Sequence, residues 1–285
     1  MSIFLSDVAQ TEFDAEVKQA YQATPGLRGT VSFRGGVIGG TYDFRAMGKG
    51  IAKQKSAQDD VIPMNVGHSL QVATLADWHA AEYTDIFKQA EVNFDEQKEL
   101  AMAIAQAIKR REDQLIINAL DDASSTYTVA TSIGGTNTNL NVDKLRKASR
   151  LMNANGVPQQ GRHILVNAIA LESLLGTTQA TSSDYNGVKA LVSGDIDTFM
   201  GFKFHLIPDQ DEGGLLKVTN DRHIFAYHEL AIGLAVAIDK AVTVDWVPTK
   251  RSHLACQDYK AGAVARDGAA GSAAIKGIVE IACYE

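Results

Sequence analysis

A mixed α+β fold is predicted by three features of the 285-residue sequence. The first is an unbroken helical pattern over residues 93–120; the second is a basic, glycine-rich stretch over 27–65. The third is an alternation of strand-like and helical segments from 139 onward. At 45% hydrophobic and 21% charged residues, the composition is that of a globular chain, long enough to bury roughly three quarters of its unfolded surface.

Residues 11–23, TEFDAEVKQAYQA, predict a short amphipathic helix that Pro25-Gly26 ends. The next stretch, LRGTVSFRGGVIGGTYDFRAMGKGIAKQKSAQDDVIPMN, combines glycines with β-branched residues and predicts a two-stranded ribbon with flexible turns. Between Arg28 and Lys55 it carries six bases, Arg28, Arg34, Arg45, Lys49, Lys53 and Lys55, against one acid, Asp43. The whole chain has 27 basic and 34 acidic residues, net -7. A positive arm on an acidic body calls for a negative surface. HSLQVAT then reads as a strand, and the sequence from about Ala76 reads as a helix leading into the long one.

Asn93 is placed to cap that long helix and Glu96 to reach back to it, as in a capping box. No Pro or Gly follows until Gly134, and 27 helical residues would span about 40 Å. Phe94, Ala101, Ile104, Ala105, Ile108, Leu115, Ile116 and Ala119 fall on one stripe, with Glu112 in its middle. A carboxylate there needs a partner or solvent, unless the stripe curves away from the core. Arg110, Arg111, Glu112 and Asp113 form a mixed-charge band suited to salt bridges rather than to acid–base catalysis.

After a polar stretch, 124–141, LNVDKLRKASRLMNANGVP reads as a helix stopped at Gly156-Val157-Pro158. HILVN predicts a strand, AIALESLLG a helix, and FMGFKFHLIP, HIFAYHEL and GLAVAIDKAVTVDWV further strands. The end reads strand, Gly/Ala turn, strand, and Ile278, Val279, Ile281 and Tyr284 place apolar groups on both faces of the last one, which predicts a sheet covered on both sides.

Residues that could carry chemistry are sparse. Around Gly48-Lys49-Gly50 the phosphate-loop spacing fails, and Gly35–Gly40 lacks the dinucleotide-binding spacing. His223 and His228, at an odd offset on a strand, point to opposite faces; His163 and His205 sit singly in apolar strands and read as structural. There is no GxSxG elbow, Cys256 and Cys283 form no CxxC, and Cys256 has nothing to lower its pKa. Asp195, Asp197, Asp209, Asp211 and Glu212 lack calcium-loop spacing and read as a solvated acidic face. The reading is of a non-enzyme without cofactor or metal. Net charge opposes coating of nucleic acid or an anionic membrane, acids interrupt any bilayer-spanning run, and a reducing cytoplasm fits.

The order of parts, and three segments within it, resemble a tailed-bacteriophage major capsid protein, with short-tailed phage coats closest in impression. DFRAMGKG resembles the family's FPxxGR-like segment, placed at the ribbon's return; GVPQQGRHILVNAIALESLL resembles its helix-end, Arg, strand, helix unit; MGFKFHLIP resembles its MGFxVxxxP strand. The resemblance implies the Hong Kong ninety-seven-like fold. Its parts would be an N-terminal arm (1–25), an extended β-ribbon loop (26–75), a periphery domain (76–138) with spine helix 93–120, an α/β axial domain (139–247), and closing periphery strands (248–285). It implies hexameric and pentameric capsomers of one chain in an icosahedral shell around double-stranded DNA, held without sequence specificity. A scaffolding protein and a portal are the implied partners, with assembly in the host bacterial cytoplasm and residence in the virion. Arg28, Arg34, Arg45, Lys49, Lys53, Lys55, Arg111, Glu112 and Asp113 become inter-subunit contact candidates. Some relatives weld a ribbon Lys to an Asn near the C-terminus; no Asn follows Asn220, so a non-covalent shell is expected. A nanocompartment shell of the same fold, a cytosolic α/β enzyme and a nucleic-acid-binding ribbon are the alternatives.

Overall fold

The computed structural model describes residues 26–86, 96–123, 127–176, 198–266 and 276–285. The helix expected over 11–23, the cap Asn93 and Phe94, and Asp195 and Asp197 lie outside the described residues. In chain order, a 3₁₀ turn, Leu27–Thr30, leads to β1 (Ser32–Gly35), β2 (Thr41–Met47), β3 (His68–Thr74) and β4 (Ala76–Asp85). Helix α1 (Glu96–Asp121), β5 (Thr128–Val129), α2 (Val142–Ala154), β6 (Arg162–Val166) and α3 (Ala168–Leu175) follow. Then come β7 (Thr198–Phe199), β8 (Phe202–Leu206), β9 (Lys217–Val218), β10 (Asp221–His228), β11 (Ile232–Asp239), β12 (Thr243–Val247), β13 (Ser252–Ala265) and β14 (Ile278–Tyr284).

The chain divides into two compact units, with α1 and β13 running through both. The larger holds Ala23–Asp77, Lys109–Ile238 and Lys260–Glu285. Its sheet runs β5-β14-β10-β6-β8-β7, with β9 also on β10. β6 pairs in parallel with β8 and antiparallel with β10, and every residue of Arg162–Val166 is buried. A strand with no exposed position needs cover on both faces. Around it Leu145, Met152, Leu165, Phe202, Phe225, Val279 and Ile281 form the buried interior. Helix α2 starts where Asn141 accepts the Lys144 amide through its side chain, and ends before Gly156, whose φ of 74° suits glycine. Arg162 holds that end in place: its guanidinium donates to the Pro158 and Val157 carbonyls and to Asn153 Oδ1 at 2.6–2.8 Å.

The smaller unit holds Trp78–Ile108 and Asp239–Tyr259. There β13 lies between β12, paired antiparallel with Trp246 opposite His253, and β4. The Lys250 ammonium sits 3.8 Å from the centre of the Tyr83 ring.

Four expectations change in detail. Residues from Ala76 form a strand rather than a helix, because pairing with β13 overrides the helix propensity of a segment with three alanines in ten residues. The ribbon is made by β2 and β3, register Thr41↔Thr74 to Met47↔His68, with residues 48–67 as its far loop. DFRAM is therefore its outgoing strand and HSLQVAT its return. The earlier part, β1, pairs in parallel with β11 instead. Finally, FMGFKFHLIP is a tight hairpin, with Met200 and Gly201 both at positive φ, before it becomes β8. The closing residues 248–285 divide between sheets: β13 joins β12 and β4, while β14 lies between β5 and β10.

Candidate assembly surface

The ribbon's base is seated on the larger unit. Phe44, Ala73, Leu75 and Ala235 form a buried cluster, with Val37, Tyr42, Ala237 and Val264 against it. Alternation decides which side chains go in: in β2, Phe44 is buried while Asp43 and Arg45 on either side are exposed. Two glycines make the fit possible. A Cβ on Gly233 would lie 2.7 Å from the Phe44 ring, and one on Gly262 would lie 2.1 Å from the Thr74 carbonyl oxygen. The Arg266 guanidinium lies over Phe44, 5.7 Å from the ring centre, and donates to the Arg45 carbonyl at 2.9 Å.

Beyond this seat the ribbon's large apolar side chains stand in solvent. Ile51 is 78% exposed and Val61 77%, and Met47, Ile62, Met64, Leu70 and Val72 are all more than half exposed. Arg34, Arg45, Lys49, Lys53 and Lys55 are exposed as well. A surface both apolar and basic, on a segment of its own, is the composition of a contact to be covered by another molecule.

The remaining contact candidates are engaged within the chain. Glu112 is buried, not turned away from the core, and takes two hydrogen bonds from Arg28, at 2.8 Å from Nε and 2.5 Å from Nη2. Asp113 accepts the Gly26 and Leu27 amides at 3.1 and 2.7 Å; burial nonetheless pushes its carboxyl above the ordinary range, with the two amides pulling the other way. Arg111 pairs with Glu212 at 2.7 Å. The mixed-charge band thus makes salt bridges, as its composition implies, and the two carboxylates pin the chain just before β1 to the long helix. Lys49 donates to the Asn155 carbonyl at 3.2 Å. Asp209 and Glu212, read from sequence as solvated, pair with Arg222 and Arg111.

Among the described residues no group of three or more His, Cys, Asp or Glu is placed to hold a metal ion, and no helix is long and apolar enough to cross a membrane. Burial first, then Asp258 and Asp245, pushes the Cys256 thiol up; burial pushes Cys283 up to about 12. Neither thiol is poised as a nucleophile. His223 lies beside Asp121 and Glu280, while His228 accepts the Leu230 amide, so the two do not converge. His163 and His205 are not single: the parallel β6–β8 pairing brings Nδ1 of one within 3.0 Å of Nε2 of the other. That pair, the glycine seat and Arg266 escape sequence reading because each depends on strands far apart in the chain.

A family model described as Phage capsid protein matches residues 5–285. No curated protein sequence matches the chain. Among solved structures, the capsid of cyanophage P-SCSP1u superposes with a TM-score of 0.74 at 13% identity, over 98% of this chain and 94% of that one. The head structure of Helicobacter pylori bacteriophage KHP40 gives 0.74 at 12% identity, over 98% and 97%. A Mycobacterium phage Che8 structure gives 0.70 at 16%, over 96% and 97%. At such identities these likenesses speak for the fold, the Hong Kong ninety-seven-like one, and the match over residues 5–285 speaks for descent: the chain belongs to the phage capsid protein family.

Proposed function

We infer that the chain is the major capsid subunit of a phage head, and that copies of it associate through the ribbon into hexameric and pentameric capsomers of a closed icosahedral shell. The family carries the coarser part, a structural protein of the virion's capsid. The observation that carries the finer part is the ribbon: one edge is fixed on the Phe44 seat, and the rest holds large apolar and basic side chains that stay exposed among the described residues. In this reading residues 26–75 are the extended-loop segment, of which β2, β3 and the loop between them reach out, 76–138 and the strands after 247 the periphery, and 139–247 the axial part. Long helix α1, about 39 Å at 1.5 Å per residue, is the spine, and Glu112 and Asp113 fix the ribbon's root to it.

The shell encloses double-stranded DNA without reading its sequence, a scaffolding protein and a portal guide closure in the host cytoplasm, and the subunit performs no catalysis. Electron microscopy of the purified chain, alone and with a candidate scaffolding protein, tests this. Shells, tubes or six-membered rings are expected; a folded monomer under every condition would count against it.

A further inference from the structure

A hollow opens at the ribbon's base between β1 and β2, lined by Ser32, Arg34, Tyr42, Asp43, Arg45 and Arg266. Three guanidiniums share it with one carboxylate. Arg266 is held by the Arg45 carbonyl and the Phe44 ring, and its Nε is buried without a hydrogen-bond partner. The side chains of Arg34, Arg45 and Asp43 make no hydrogen bond or ion pair among the described residues. Like charges brought together, with a buried donor unsatisfied, favour an anion, and the planar guanidinium fork fits a carboxylate.

The chain offers a matching group. Asp59 and Asp60 are adjacent, exposed and unpaired with any base among the described residues; their only contacts are the Asp60 amide to Asp59 Oδ1 and the Asp59 amide to Ser56. Val61 and Ile62, 77% and 60% exposed, follow them directly. They are not among the residues that line their own hollow. The two arms stay together past Met47↔His68 as far as Gly50, which lies against Met64 and Val66. The acids follow Gly50 in the chain, in the ribbon's far loop and outside its paired strands. We propose that the hollow receives Asp59 and Asp60 from the ribbon of a second copy of this chain, so that each ribbon's far loop docks at another ribbon's base. The proposal rests on the shell reading and names the contact within it.

The test is a charge swap in the full chain. Arg34→Glu with Arg45→Glu, and separately Asp59→Lys with Asp60→Lys, should each lower the yield of shells by about tenfold or more, and the fourfold variant should recover it to within about threefold. Undiminished shells from either double variant, or no recovery in the fourfold one, would overturn the pairing. Wild-type shells in the same experiment uphold the shell reading whatever the variants do; their absence both with and without the scaffolding protein sinks that reading itself. Should a variant fail to fold by circular dichroism, the peptide QDDVIP is titrated into the wild-type chain to millimolar concentration, beside QNNVIP and inorganic phosphate. Binding of the first alone supports the proposal. Equal binding of phosphate means a free-anion site, and binding of none means no site; either overturns it.

Discussion

Arg28 and Glu112 show how a residue pattern turns into a constraint on stability. The carboxylate interrupts an apolar stripe, so the sequence requires a partner without naming one; the structure supplies Arg28 from 84 residues earlier. Because Glu112 is buried and Arg28 is part exposed, removing only the cation takes two charge-assisted hydrogen bonds from a buried carboxylate. Arg28→Ala should lower unfolding stability by about 1–3 kcal/mol in urea melts of the unassembled chain, whereas Arg28→Met with Glu112→Leu should recover most of it. Equal losses in both would mean that the pair matters for shape rather than for charge. His163 gives the pH dependence at the same scale. Its ring meets His205 and packs near Tyr227, with Glu229, Lys203 and His228 close enough to bear on its charge, and burial holds its pKa below the ordinary value. The unfolded chain then binds a proton more readily than the folded one, so stability is present above about pH 6.5 and falls as the pH drops below it. His163→Gln should flatten the melting temperature between about pH 6.5 and 5, relative to wild type. A curve as steep as the parent's would assign the acid response elsewhere. Neither imidazole announces the other in the sequence, since their meeting depends on which strands lie side by side.

At the scale of elements, what was legible is what a local period dictates. Helix α1 follows from its stripe, α2 from an asparagine cap and a glycine stop, and β6 from a short apolar run. What was illegible depends on a neighbour. The segment after Ala76 has the composition of a helix, yet β13 offers backbone partners, and hydrogen bonding along an edge outweighs a propensity difference of a few tenths of a kcal/mol per residue. The ribbon was visible as a basic, glycine-rich excursion, but its register and seat were not, because Gly233 and Gly262 are spaced to suit Phe44 and Thr74 rather than any local turn. Here a methyl group is decisive. In Gly262→Ala the new Cβ meets a backbone oxygen, which cannot swing aside, so β13 or β3 must shift. A loss of about 1–3 kcal/mol is expected, together with faster proteolytic cutting of residues 48–67, as β3 loses its seat. Proteolysis at the parental rate would show that the ribbon is anchored by its hydrogen-bonded register alone.

At the scale of the whole molecule the question is how copies hold together. The family resemblance raised the prospect of a covalent weld between a ribbon lysine and a carboxamide near the C-terminus, and the chemistry available in this chain opposes it. Past residue 220 there is no asparagine, and the one glutamine, Gln257, is 9% exposed with its amide nitrogen donating to the Lys240 carbonyl. Among the ribbon lysines, Lys49 is hydrogen-bonded to its own chain's Asn155 carbonyl, while Lys53 and Lys55 are exposed. A lysine amine can displace ammonia from a carboxamide only if the two touch away from water, and here the acceptor side offers no accessible group. In the reading proposed above, contacts between copies rest on apolar burial and on charge pairing at the ribbon. Charge pairing of exposed groups is screened at ionic strengths where the Debye length falls to about 3 Å, near 1 M salt, while apolar burial persists. Shells should accordingly loosen in high salt more readily than a welded lattice. After heating in detergent they should run as a single band at the chain mass of 30.6 kDa. A ladder of dimers, trimers and higher species surviving reductant would show that a lysine has found an acceptor outside residues 221–285, and tandem mass spectrometry of the joined peptides would name it.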